Sequence, residues 1–303
     1  MLLLLACTEP DPVRRARPDL QADADADSDT DADSDTDSDT DSDTDSDPCR
    51  LVPSDAATNR ANIEACLASG HADLGTGTFG VDAGFSMPVG SALTGTGGTL
   101  RLEGSGTNTL VTTTGANTLS GLVLDANGAV SDVNGAVVHV TGSGSTLSDL
   151  WIGDATGGAS TYHIAGIYLI DATSADNTVT DVEVTGTFYG VIFVGGLDSA
   201  HVNTITASTV HDTWCDGVTF VGYGALTDST LYHSGLDCDN GPIPGASIYS
   251  LDNTAGAYIA RNTMYDDCGN VVDLDSVSGF VLEDNVVSDP GYQWDGSAPW
   301  CGG

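Results

Sequence analysis

The chain has 303 residues, 44 of them Asp or Glu and 7 Lys or Arg, for a formal net charge of -37. All the bases are arginines, and residues 49 to 303 alone set 28 acids against four arginines, a balance of -24 that excludes nucleic acid binding and electrostatic docking on anionic lipid. The 38 glycines and 6% aromatic content argue for short strands joined by tight turns rather than a helical bundle, and no apolar run reaches the roughly 18 residues of a membrane span.

The chain opens MLLLLACTEP, a short apolar run ending in Leu5-Ala6-Cys7. It resembles a bacterial lipoprotein signal without the usual basic n-region. The resemblance implies cleavage after residue 6 and a lipid on Cys7, hence an exported protein held at the cell envelope, on the outer membrane and facing outward. Membrane association is then expected only through that lipid. Residues 7 to 48 form an acidic stretch with Asp at every second position from Asp23 to Asp47. Such a segment has no apolar surface to bury and its charges repel, so a disordered, extended stalk is expected. A loose calcium-binding role is the competing reading, since carboxylates are hard oxygen ligands.

Residues 49 to 303 form the expected folded domain. Ala57 to Ala68 is predicted as a short helix with Ile63 and Leu67, at i and i+4, on its buried side. From about residue 118 the chain repeats: TLSGLVLDANG, TLSDLWIGDAT, NTVTDVEVTGT, TITASTVHDT, LTDSTLYHSG, IARNTMYDDC and VLEDNVVSDPG. The aligned apolar positions are Leu124, Ile152, Val184, Val210, Leu231, Met264 and Val287, spaced 28, 32, 26, 21, 33 and 23 residues apart. Each unit continues to a second apolar run: AVVHV, GIYLI, GVIFV, GVTFV, ASIYS, NVVDL. Two short strands per unit with variable turns predict a solenoid. Two positions before each aligned residue stand Leu122, Leu150, Val182, Ser208, Ser229, Asn262 and Asn285. The change from aliphatic to Ser and Asn predicts a polar stack at one corner of the later coils.

This pattern resembles the right-handed parallel β-helix family of pectate lyases, polygalacturonases and phage tailspikes, over roughly residues 60 to 290. The resemblance implies an all-β solenoid whose first coil is closed by the short N-terminal helix, and a monomer acting on or binding a polysaccharide or cell-surface glycan.

Seven cysteines become six once Cys7 is lipidated, and an exported protein is expected to oxidise them. Cys49 and Cys66 flank the predicted helix as partners. Cys215 and Cys268 share a column two coils apart, too far to bond each other. Cys238, in the coil between, can reach one of them, and the other remains for Cys301, which is expected to tie the C-terminal tail back onto the last coils.

The turns of the later coils, HDTWCDG, YHSGLDCDNGPIPG and YDDCGN, collect acids and histidines. Asp212, His233, Asp266 and Asp289 align in one column of successive coils. Crowded carboxylates push one another's pKa values apart, as an acid and base pair requires. The catalytic candidates are Asp216, Asp237 and Asp239, with His211 and His233 as positioning or proton-transfer partners; Trp214, Asp212, Asp266 and Asp267 are candidates for substrate binding. Asp216 and Asp237 stand 21 residues apart, similar to the spacing of the acidic motifs of polygalacturonases, although the flanking motifs of that family are missing. Arg261 is the only base in this region for pectate-lyase-type proton abstraction. Glycosidic cleavage by a hydrolase or lyase is the chemistry these residues suit, calcium is the candidate ion, and a neutral or weakly charged sugar fits the charge balance. The alternatives are a non-catalytic surface protein for adhesion, matrix contact or phage defence, and acids that serve only the turns.

Overall fold

The computed structural model describes residues 49–104, 109–128, 135–155, 164–169, 174–195, 198, 200–235, 245–250, 256–267, 270–274 and 278–288. The predicted segments 1–6 and 7–48, like Cys7, Asp237, Asp239, Cys238, Cys268, Asp289 and Cys301, lie outside them. Among the described residues no helix is long and apolar enough to cross a membrane.

The helix Ala56–Ala68 starts where Asp55 caps it, its carboxylate accepting from the Thr58 N–H at 3.0 Å. That bond satisfies one of the orphan donors of the first turn. Ile63 and Leu67 are buried as the pattern predicts, and Asn59 joins them by donating to the Gly80 carbonyl at 2.9 Å. Cys49 and Cys66 form the expected disulfide, with Cα atoms 5.6 Å apart. It fastens the strand Cys49–Arg50 to the helix. Cys215 is disulfide-bonded as well.

Beyond the helix the chain alternates between a 15-stranded and an 8-stranded sheet, and its named strands pair only in parallel. This is a parallel β-helix. The seven aligned apolar residues form one register column: Leu124 pairs with Ile152, Ile152 with Val184, Val184 with Val210, Val210 with Leu231, Leu231 with Met264, and Met264 with Val287. Facing it, Val111, Val138, Ile167, Val191, Val218, Ile248 and Val272 stack in the smaller sheet. Each of these runs is apolar because both sides of the coil interior demand it.

The predicted polar corner is present. Backbone N–H groups of Val182, Ser208, Ser229 and Asn262 donate to the side chains of Ser208, Ser229, Asn262 and Asn285 in the next coil, at 3.3, 3.2, 2.9 and 2.9 Å. These side chains replace the backbone acceptor at that position, so the strand breaks in two. Where Leu122, Leu150 and Val182 occupy the column, strands run unbroken for eight residues, Thr118–Asp125, Thr146–Gly153 and Thr178–Thr185. Where Ser and Asn take over, the same path becomes Asn203–Thr206 and Thr209–His211, then Gly224–Thr227 and Thr230–Tyr232.

Candidate functional site

The turn column predicted from the sequence has a conformational cause. Asp212, His233 and Asp266 sit at φ 51°, 53° and 54°, in line with Asp154 and Gly186 of earlier coils at 56° and 61°. Glycine enters this left-handed region freely, and Asp, Asn and His more readily than other residues, so the bend itself favours the Asp and His found here. The side chains then do more. His211 is held between two carboxylates, Nδ1 to Asp212 at 2.7 Å and Nε2 to Glu183 at 3.1 Å. Asp212 reaches a second imidazole, His233 Nδ1, at 3.0 Å.

Burial pulls the His211 imidazole down, but its hydrogen bonds and attraction to Asp212 and Glu183 outweigh that and push it up to about 9. The His211 hydrogen bond correspondingly holds Glu183 and Asp212 below the usual carboxylate range. A charged imidazolium with both nitrogens engaged has no lone pair to act as a base. Tyr232 stacks on the His211 ring with centroids 4.6 Å apart, and Tyr265 stacks on Tyr232 at 5.0 Å. Both faces of Tyr232 are therefore covered by rings, which leaves none for a sugar.

The outer face of the eight-stranded sheet is different. Strand alternation points every second side chain away from the core. Between the buried pairs Val138 and Val140, Ile167 and Leu169, Val191 and Phe193, Val218 and Phe220, and Ile248 and Ser250, it turns out His139, Tyr168, Ile192, Thr219 and Tyr249. Asp273 continues this column beyond Tyr249. The His139 and Tyr168 rings meet edge to face at 5.6 Å.

Asp216 belongs to this face, since the Thr219 hydroxyl donates to its Oδ2 at 3.2 Å, and its Oδ1 accepts from the Ala246 N–H at 2.9 Å. It is only 5% exposed. Burial pushes its carboxyl up to about 6, hydrogen bonds pull it back in part, and the charge of Asp273 adds to the rise. Asp267, fully buried, accepts from the Ser234 N–H at 3.0 Å and from the Ser247 hydroxyl, and burial raises it to about 6 as well. Among the described residues neither acid forms an ion pair, in contrast to Glu183 and Asp212.

The predicted residues thus divide into groups. Asp212, His211 and His233 come together at one surface turn; Asp216 stands on the other sheet face and Asp267 beside Ser234 and Ser247. Trp214 is 41% exposed and Asp266 lies exposed in the turn column. Arg261 forms a two-pronged ion pair with Asp228 at 2.7 and 2.8 Å. Glu183, His139, Tyr168, Tyr249 and Asp273 were not singled out from the sequence. The signal for four of them was one aromatic or polar residue inside an otherwise apolar run, as in AVVHV, GIYLI, ASIYS and NVVDL. Among the described residues, no group of three or more His, Cys, Asp or Glu is arranged to hold a metal ion.

No protein-family model matches the chain, and no curated protein matches its sequence. Among solved structures it is similar to an alginate lyase from a Paenibacillus species, with a TM-score of 0.47, 15% identity, and coverage of 79% of this chain and 98% of that one. It is also similar to the Dettilon tailspike protein, TM-score 0.43 at 13% identity over 76% and 58% of the two chains. The A-module of the mannuronan C-5 epimerase of Azotobacter vinelandii gives 0.39 at 13% identity over 76% and 91%. At such values the likeness is distant and concerns the coiled path of the chain, not its chemistry.

Proposed function

We propose that this chain is an exported, surface-displayed β-helix protein that binds a polysaccharide along the outer face of its eight-stranded sheet. The observation that carries the reading is the part-exposed His139, Tyr168, Tyr249 and Asp273 of this column, on either side of the buried Ile192 and Thr219, with the Asp216 carboxyl bonded to Thr219. Two pairs of ring and hydrogen-bonding groups, His139 with Tyr168 and Tyr249 with Asp273, each spaced at the inter-strand repeat of about 4.8 Å and lying on one face, suit a linear polymer of flat, hydroxyl-rich units. A neutral glycan fits a face whose acids lack cationic partners. In this reading the lipid on Cys7 anchors the protein to the outer membrane and residues 7 to 48 hold the domain away from it.

Cleavage is the second reading, favoured by the Asp216 carboxyl at about 6. There Asp216 gives its proton to the leaving glycosidic oxygen. A water, relieved of a proton by Asp273 or by Asp237 or Asp239 of the sequence pairing, adds to the anomeric carbon. Binding takes precedence because both Asp216 oxygens already accept hydrogen bonds. A calorimetric screen of the full chain against neutral and uronate polysaccharides, with and without calcium, tests both. Binding to a neutral polymer is expected; binding to none sinks the first reading. Absence of new chain ends after prolonged incubation sinks the second.

A further inference from the structure

The outer face of the 15-stranded sheet is built from hydroxyls in two ordered columns. Leu93, Leu119, Leu147, Val179, Ile205 and Leu226 point into the coil, so the residues on either side of each turn outward. In four successive coils these are Thr118 and Ser120, Thr146 and Ser148, Thr178 and Thr180, Thr204 and Thr206. The second column continues to Thr94 on one side and Thr227 on the other. All ten are part-exposed or exposed. Thr227 donates to Thr206 at 3.0 Å and Thr94 meets His71 at 2.8 Å. The hydroxyls of Thr118, Ser120, Thr146, Ser148, Thr178, Thr180 and Thr204 make no hydrogen bond to another described residue. In these four coils neither column holds an ionisable residue, although the domain carries a balance of -24. The nearest acids, Asp149 and Asp181, each at φ 52°, break the strand alternation just past the second column.

We propose that this face binds ice. Neighbouring coils set the hydroxyls about 4.8 Å apart, and successive outward residues of one strand lie about 6.6 Å apart. Tetrahedrally hydrogen-bonded water, with oxygens about 2.75 Å from one another, repeats at about 4.5 Å within a layer and about 7.3 Å across layers. The two lattices therefore stay within about 1 Å of each other over the four coils. Threonine is stiff at χ1, which holds its hydroxyl in place, and its methyl group offers water no competing bond. Charge complementarity selects the partner, since a face without ions suits a surface without ions. A protein partner would be expected to find aromatic or arginine anchors, and a glycan would be expected to find rings; the two columns supply neither in these coils. A second copy is opposed by the repulsion of two domains each at -24. The inference uses the sheet opposite the proposed glycan face and stands apart from that reading.

The test grows ice slowly from a dilute solution of the full chain mixed with serum albumin as a reference that ice excludes. The chain is expected to enter the ice in excess of albumin. Thr178→Tyr with Thr180→Tyr, which keeps residues suited to an exposed strand while disrupting the array, should lose that excess with the circular dichroism spectrum unchanged. Exclusion of the unaltered chain to the same extent as albumin overturns the proposal, as does undiminished enrichment of the folded Tyr variant. Should the Tyr variant fail to fold, Thr178→Ala with Thr180→Ala takes its place. Loss of the excess is again expected, and its retention overturns the proposal.

Discussion

Glu183 and Asp212 meet histidine at the surface, whereas Asp216 and Asp267, on the same run of coils, accept hydrogen bonds only from neutral donors. The first pair is held ionised and the second is raised to about 6. Proximity of acids in the sequence is thus a poor guide to their chemistry. What decides it is burial, which raises Asp216 and Asp267 against their amide and hydroxyl bonds, and the His211 bond, which holds Glu183 and Asp212 down. The surface group satisfies itself, while the buried acids hold an unneutralised charge above pH 6.

The sign of the pH effect separates the two groups. A carboxyl raised from 3.8 to about 6 on folding binds more protons in the native state between those values, so Asp216 and Asp267 lose stability for the fold as pH rises through that window. Glu183 and Asp212, lowered, contribute stability above the ordinary carboxylate range and lose it as pH falls. His211, raised to about 9, contributes most below 6.5 and loses its share as pH climbs through 9.

The largest expected effect follows from the buried side. Asp216→Asn keeps an acceptor for the Ala246 N–H and can donate to the Thr219 hydroxyl. It should stabilise the protein by up to about 3 kcal/mol at pH 8 and hardly at all near pH 4. Melts at the two pH values measure this, and equal shifts would remove the contrast between the groups. Next, Tyr168→Ala together with Tyr249→Ala should weaken glycan binding by about 30-fold, or about 2 kcal/mol, as loss of ring contacts at a binding centre does. A titration with the bound polymer reads that change, and an unaltered affinity would detach the sheet face from function. The smallest effect belongs to the surface turn. Asp212→Asn removes a carboxylate that is 47% exposed, while His211, 12% exposed, keeps Glu183 as a partner, so the change should cost below about 1 kcal/mol, without touching glycan affinity. A chemical denaturation curve settles the first half of that expectation, and a loss of several kcal/mol would show that the turn cluster is a keystone of the coils.

The coil was legible in the sequence because its determinants are periodic. Leu124 through Val287 fall in one column since every coil must fill the same interior, and Ser208 to Asn285 read as a stack because each polar side chain replaces a backbone acceptor. A second stack escaped notice. Asn117, Ser145, Asn177 and Asn203 join successive coils at the opposite end of the long strands, with Ser145 N–H donating to Asn177 at 2.8 Å and Asn177 to Asn203 at 2.9 Å. Each stands one residue before the threonine that opens its coil's strand path, Thr118, Thr146, Thr178 and Thr204, where polar residues look like ordinary turn chemistry. The outer strip was hidden for a related reason. Tyr168 and Tyr249 sit inside apolar runs, and only the pleat of the strand, with Ile167 and Ile248 turned inward, reveals that they point out. The neutral surroundings of Asp216 depend on Ala246, which lies 30 residues along the chain and one coil away.

Hydroxyl-radical footprinting of the tyrosines, with and without a bound neutral polysaccharide, tests the proposed role of the sheet face most directly. Tyr168 and Tyr249 should be protected from oxidation when the polymer is present, while Tyr232 and Tyr265 react as before. Protection of Tyr232 and Tyr265 with no change at Tyr168 and Tyr249 would move the binding surface to the histidine turn and contradict the assignment.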